Sequence, residues 1–254
     1  MDSVIAAHPR DAAALEVRVS LKYYKWLYNL AANPKERAAL LSGAETDLKL
    51  STQIQPTRAA AWATLSSVYS QEDNSVGAKT AASRAYEEDA YLSNTDEVLW
   101  KLYATSYDLE QFPDAVKYCN DGATRFPENF RFVRCKLWLL TVKSIKPDPT
   151  QAWQDYARLQ QLSSPQAWKL RQYEGRLLIS AGLARAGMRD SALKVWAGAH
   201  PDPADDKEGQ LTAVEAFVRT LFGTAADTTE AFTILNRYVS GNPQHGAGLA
   251  ESQT

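Results

Sequence analysis

Apolar side chains recur three and four positions apart through almost every window of the chain, and strand-like alternation is nearly absent. Val17, Leu21, Tyr24 and Tyr28 make one such stripe, and Trp62, Leu65 and Tyr69 another. That spacing puts each set on one face of a helix, so the pattern predicts helices throughout. Polar signals mark where they begin. Asn33-Pro34-Lys35-Glu36 offers an amide at the N-cap, proline where a missing N–H costs nothing, and a carboxylate that can reach back, predicting a helix from Pro34. Asn94-Thr95-Asp96-Glu97, Asp148-Pro149-Thr150-Gln151 and Asp227-Thr228-Thr229-Glu230 repeat the device, with a partial version at Ser164-Pro165. Gly187, Gly223 and Gly241 follow helical stretches where a left-handed cap favours glycine, while Pro56, Pro127, Pro201 and Pro243 stand just beyond apolar runs. These signals predict about twelve helices joined by short loops.

The helices fall into pairs with a period. Ala44, Ala78, Ala115, Ala152, Ala192 and Ala231 each lie early in the second helix of a pair, separated by 34, 37, 37, 40 and 39 residues. One turn later each is followed by Leu48, Ala82, Cys119, Tyr156, Trp196 or Leu235. A small residue where two helices cross lets the backbones approach, and large residues on the facing helix fill the space around it. Trp62, Leu65 and Tyr69 supply such bulk, and Ala78, Ala82 and Ala85 the recess. A single hairpin cannot bury both of its apolar faces, so each needs the next stacked upon it.

On these residues the chain resembles the tetratricopeptide repeat family. Trp62-x-x-Leu65-Ser66-x-x-Tyr69 followed by Ala78 matches its pattern, with Ser66 where glycine is usual. Leu99-x-x-Leu102 followed by Ala115-Val116-Lys117-Tyr118-Cys119 and Pro127 matches nearly as well, with Gly122 where alanine is commoner. The resemblance implies an all-α, right-handed superhelical solenoid of antiparallel helix pairs over residues 1–254. Its repeats would span approximately 11–56, 57–92, 94–127, 128–164, 165–201 and 206–243. Around 128–164 the loop SIKPDPTQ lengthens one hairpin, and around 165–200 the first helix departs from the pattern.

Composition narrows the function. With 45% apolar residues the chain can bury a core, which excludes disorder, and a formal charge of -2 gives no electrostatic reason to expect nucleic acid or an anionic membrane. No apolar run is long enough to span a bilayer, and MDSVIAAHPR lacks the pattern of a signal peptide, pointing to a soluble, cytoplasmic chain. Cys119 and Cys135 sit within apolar helical patterns and read as buried free thiols. No phosphate loop, dinucleotide fingerprint, zinc motif or nucleophile elbow is present, so the sequence points to no catalytic residue, cofactor or metal. His8, His200 and His245 fall in loops or termini, His245-Gly246-Ala247-Gly248 reads as a tail, and the acidic run from Glu87 to Glu97 as a solvated helix end.

The segment NFRFVRCKLWLL, Asn129 to Leu140, is apolar all the way round a helix. Either both faces are core, or one lines an apolar groove. By analogy with the family's architecture the groove would be lined by Trp100, Ala104, Tyr107, Phe130, Val133, Leu137 and Leu140, with Lys101, Arg131, Arg134 and Lys136 at its rim favouring an acidic partner. Ala63 and Ser67, then Trp100 and Ala104, stand where the family's carboxylate-binding variant carries lysine and asparagine, so capture of a C-terminal carboxylate is not expected. The expected function is a non-catalytic scaffold for a protein or peptide, with Trp100 and Tyr107 as anchors. An RNA-binding helical repeat would require a basic groove, and a small-molecule carrier a closed pocket. The opening AAHPRDAAA resembles the end of a preceding repeat, and GLAESQT closes without a polar capping helix; both fit a segment of a longer protein, and the family resemblance implies a bacterial signalling or regulatory protein as one such parent.

Overall fold

The computed structural model of the protein describes residues 5, 7–199 and 210–241. His200, Pro201, Asn242, Pro243, His245 and the tail at Gly246-Ala247-Gly248 lie outside them. Among the described residues there are twelve helices and no strand. Two compact units divide the chain, residues 1–125 and 126–254.

In the first unit the pairs are α1 (Ala12–Leu27) with α2 (Pro34–Ile54), α3 (Ala59–Gln71) with α4 (Ser75–Glu88), and α5 (Thr95–Asp108) with α6 (Phe112–Arg125). Successive pairs stack through α2 on α3 and α4 on α5. The second unit pairs α7 (Phe130–Leu139) with α8 (Pro149–Gln161), α9 (Pro165–Arg185) with α10 (Arg189–Ala197), and α11 (Gln210–Thr220) with α12 (Ala225–Gly241). There α9 is central, packing on α7, α8, α10 and α11.

Local chemistry explains most helix starts. The Asn33 side chain accepts from the Glu36 N–H at 2.9 Å, Asp148 from Thr150 and Gln151, and Ser164 from Ala167. Asn94 precedes α5 without a side-chain cap; instead the Thr95 hydroxyl donates to the Leu92 carbonyl at 2.7 Å. The last helix corrects the sequence reading by three residues. It begins at Ala225, where Thr224 Oγ1 accepts from the Asp227 N–H and the Asp227 carboxylate accepts from the Thr224 N–H, a capping box placed earlier than expected. Asp227 is thus the returning carboxylate of the box and not its cap.

Five of the six hairpin turns use one device. Asn29, Asp73 and Glu110 in the first unit have φ of 52°, 54° and 55°, and Gly187 and Gly223 in the second have 81° and 85°. A left-handed residue between paired helices reverses the chain within a few positions. The exception is the α7–α8 loop. Arg185 of α9 holds it by donating to the carbonyls of Leu140, Lys143 and Ile145, the last at 2.6 Å.

The periodic alanines form the inner seams: Ala44, Ala78, Ala115, Ala152, Ala192 and Ala231 are all buried, each on the second helix of its pair. Ser66 fits the α3–α4 crossing because its hydroxyl donates to the Ala78 carbonyl at 2.8 Å, which satisfies a fully buried polar group. In the second unit glycines on α9 add to the alanines at these seams. A Cβ on Gly175 would lie 2.7 Å from the Tyr156 ring, and one on Gly182 would lie 3.3 Å from Leu140, so α9 approaches α8 and α7 closely at both points. The first stripe is a correction in the other direction. Val17, Leu21, Tyr24 and Tyr28 face solvent, whereas Ala12, Leu15 and Val19 carry the buried face of α1.

Candidate functional site

Helix α5 carries the first three predicted groove residues. Trp100 and Ala104, one turn apart, are half-buried, and with Lys101 they line a cavity of about 200 Å3. It is also lined by Ser70 near the end of α3, Asp73 in the turn, Ser75 at the start of α4, and Thr105 and Asp108 of α5; both aspartates are exposed. Trp100 is braced from behind. Its ring lies 5.2 Å from Tyr103, Tyr103 lies 6.1 Å from Tyr107, and Tyr107 meets Phe112 edge-on at 5.9 Å. Such aromatic contacts fix ring orientation. Tyr107 belongs to this ladder behind the cavity and does not line it.

The carboxylates of Asp73 and Asp108 have no hydrogen-bond or ion-pair partner among the described residues. Burial pushes the Asp108 carboxyl above its ordinary value. Both stand at helix C-termini, where the backbone already presents unpaired carbonyls and partial negative charge. Sequence reasoning passed over them because each alone reads as a solvated helix end. The sequence signal is partial: Asp108 opposes the preference of helix C-termini for cations, whereas Asp73 also stands just before the N-terminus of α4, where a carboxylate is favoured.

The other predicted lining residues belong to the second unit and are placed differently. Leu137 is fully buried, Val133 and Leu140 are nearly so, and all three join the core formed with Tyr156, Leu159 and Leu177–Ile179. They present no surface to a ligand, which corrects the groove assignment for these positions. The reason is the glycine pair on α9, which brings that helix onto the same face of α7. Phe130 is half-buried, and the Arg171 guanidinium stands 3.6 Å over its ring. Burial, then repulsion from Arg134, lowers the Arg171 pKa.

The rim also changes. Arg134 grips the buried Glu174 with two bonds of 2.8 and 2.6 Å, and the Trp138 indole donates to the same carboxylate. Lys136 lies 4.0 Å from the buried Asp155, whose pKa is raised by burial against the opposing pull of Lys136 and Gln151. These two cations neutralise carboxylates of the unit's own interior and do not form a basic rim. Arg131 is half-buried on α7, and Lys101 remains at the cavity wall of the first unit.

Elsewhere the charged groups tie helices together. Asp47 of α2 accepts from Arg18 and Lys22 of α1; burial alone would raise its pKa, and these bonds outweigh burial and hold it low. His8 is exposed. No group of three or more His, Cys, Asp or Glu among the described residues is arranged to hold a metal ion, and no described helix is long and apolar enough to cross a membrane. Both cysteines are fully buried, but neither is a free thiol, which corrects the expectation for Cys119 and Cys135.

No protein-family model matches the sequence, and no curated protein matches it. Among solved structures, 95% of the chain aligns with a chain of the APC/C hetero-tetramer Cut9–Hcn1, at 15% identity and a TM-score of 0.56. It spans 42% of the length of that chain. A second alignment covers 96% of the chain and 99% of Pseudomonas aeruginosa pilF, at 18% identity and a TM-score of 0.52. Both neighbours are tetratricopeptide-repeat proteins. The fold is a tetratricopeptide-like helical solenoid. Identities this low establish the fold of the helix pairs and carry nothing about a partner.

Proposed function

We propose that this chain is a non-catalytic protein-interaction scaffold that seats an extended peptide segment beside α5, with Trp100 as the anchor. The observation that carries this reading is the cavity between α3 and α5, in which a rigidly braced indole is flanked by polar groups. A large, pre-oriented aromatic at a concave surface is the usual centre of a binding hot spot. The cavity is smaller than the roughly 300–1,000 Å3 typical of small-molecule sites, which disfavours a metabolite carrier. RNA binding is disfavoured too, since Arg134 and Lys136 serve buried carboxylates and two unpaired aspartates line the cavity.

Peptide-display selection against the full chain, followed by calorimetry of the selected peptides, tests the reading. Trp100→Ala should weaken binding by more than about 1 kcal/mol, roughly five-fold, with the helical circular dichroism intact. Equal affinity for the two proteins would remove Trp100 as an anchor.

A further inference from the structure

We infer that the α3–α5 cavity is a socket for one arginine side chain of a peptide partner, which deepens the scaffold reading and rests on it. The first reason is hydrogen-bond capacity. Ser70 already donates its hydroxyl proton to the Ser66 carbonyl, and Thr105 donates to the Lys101 carbonyl at 2.7 Å. Those hydroxyl oxygens therefore have only lone pairs left to offer, and the carboxylates of Asp73 and Asp108 accept only. The wall is rich in acceptors and calls for a donor-rich guest.

Charge points the same way. Lys101 offsets one of the two carboxylates, leaving the lining net negative by its side chains; the C-terminal ends of α3 and α5 add to that field and the N-terminus of α4 at Ser75 subtracts from it. Size and shape then select among cations. A volume of about 200 Å3 lies below the roughly 300–1,000 Å3 of small-molecule sites and suits a single long side chain. A planar guanidinium can lie against the Trp100 face while its fork reaches carboxylates, and an ammonium has no flat face to stack. The partner is accordingly basic at this point, opposite to the acidic partner expected from the sequence.

The test uses full-length protein and a blocked arginine, Nα-acetyl-arginine methylamide, followed by two-dimensional NMR of the tryptophan indole N–H signals. Trp100 is assigned by its loss in Trp100→Phe. Titration through the millimolar range should shift the Trp100 signal saturably, and the equivalent blocked glutamate should not. Asp73→Asn and Asp108→Asn should each weaken arginine at least about five-fold, the scale of one charge-assisted hydrogen bond in a partly exposed site. Both variants are suited to remain folded: asparagine tolerates the left-handed backbone at position 73, and removing a negative charge from a helix C-terminus relieves the dipole at position 108. No shift with arginine, an equal response to glutamate, or undiminished binding by both variants would overturn the inference. Selected peptides that depend on Trp100 but carry no arginine would overturn it while leaving the scaffold intact. Arginine binding without any selectable peptide would instead sustain the socket and sink the scaffold reading.

Discussion

Replacing Gly175 by alanine puts the close approach of α9 to its neighbours to a quantitative test. The added Cβ would lie 2.7 and 2.8 Å from two carbons of the Tyr156 ring, where carbon contacts relax to about 3.5–4.0 Å. Tyr156 has little room to retreat. It is 9% exposed, faces Trp168 at 5.1 Å and Trp153 at 5.6 Å, and its hydroxyl donates to the Gln172 carbonyl. Overpacking of this kind costs about 1–3 kcal/mol, against about 1 kcal/mol recovered from alanine's better helix propensity. The net expectation is a loss of up to about 2 kcal/mol. Gly182→Ala is the internal control: its Cβ would stand 3.3 to 3.4 Å from atoms of the Leu140 side chain, which can yield by a few tenths of an ångström. There propensity should prevail, and stability should rise by up to about 1 kcal/mol. Urea denaturation followed by the fluorescence of Trp153 and Trp168 reads the unit directly. A Gly175→Ala protein as stable as Gly182→Ala, or more so, would refute the claim that α9 is seated against α8 through Gly175.

Asp227 accepts from Arg189, Arg219 and Thr224, and although burial opposes it, these partners hold its pKa at about 2, below the ordinary value near 3.9. A depressed pKa stabilises the fold above the unfolded value and is lost as pH falls through the folded one. Asp227→Asn should therefore melt earlier at pH 7, by about 1.5–3 kcal/mol for bonds to charged groups, and the gap should close between about pH 4 and pH 2; a gap constant with pH would contradict this. Glu110 occupies the left-handed region at φ 55°, which disfavours residues bearing a Cβ, so Glu110→Gly should stabilise by up to about 1 kcal/mol in thermal melts, and a loss would argue against strain there. Finally, protein unfolded in denaturant without reductant should take up no iodoacetamide, because neither cysteine is a free thiol; two adducts by mass spectrometry would show otherwise.

Several features could be read from residues adjacent in the chain. Asn33, Asp148 and Ser164 cap their helices as the sequence implies, because a cap is a bond between a side chain and a backbone group two or three positions away. The start of α12 is ambiguous in the sequence because Thr224 and Asp227 both belong to the residue types that can serve as N-cap, and in the fold Asp227 is engaged by Arg189 and Arg219. The all-round apolar character of α7 is legible in the sequence, but whether Leu137 faces a groove or a core depends on whether another helix covers it. Gly175 and Gly182, two turns apart in a helix that otherwise departs from the repeat pattern, are the sign in the sequence that one does.

The sequence by itself determined that the chain forms paired helices and where small residues let them nest, since periodicity and capping act within a few turns and need no knowledge of distant segments. Only the tertiary structure decided which faces are spent in the core and which remain available. Asp73 and Asp108 share a cavity because α3 and α5 are neighbours, and the charges of Arg134 and Lys136 are neutralised because Glu174 and Asp155 arrive from other helices. Burial and electrostatic pairing are sums over everything nearby, so they emerge once the chain has brought remote positions together.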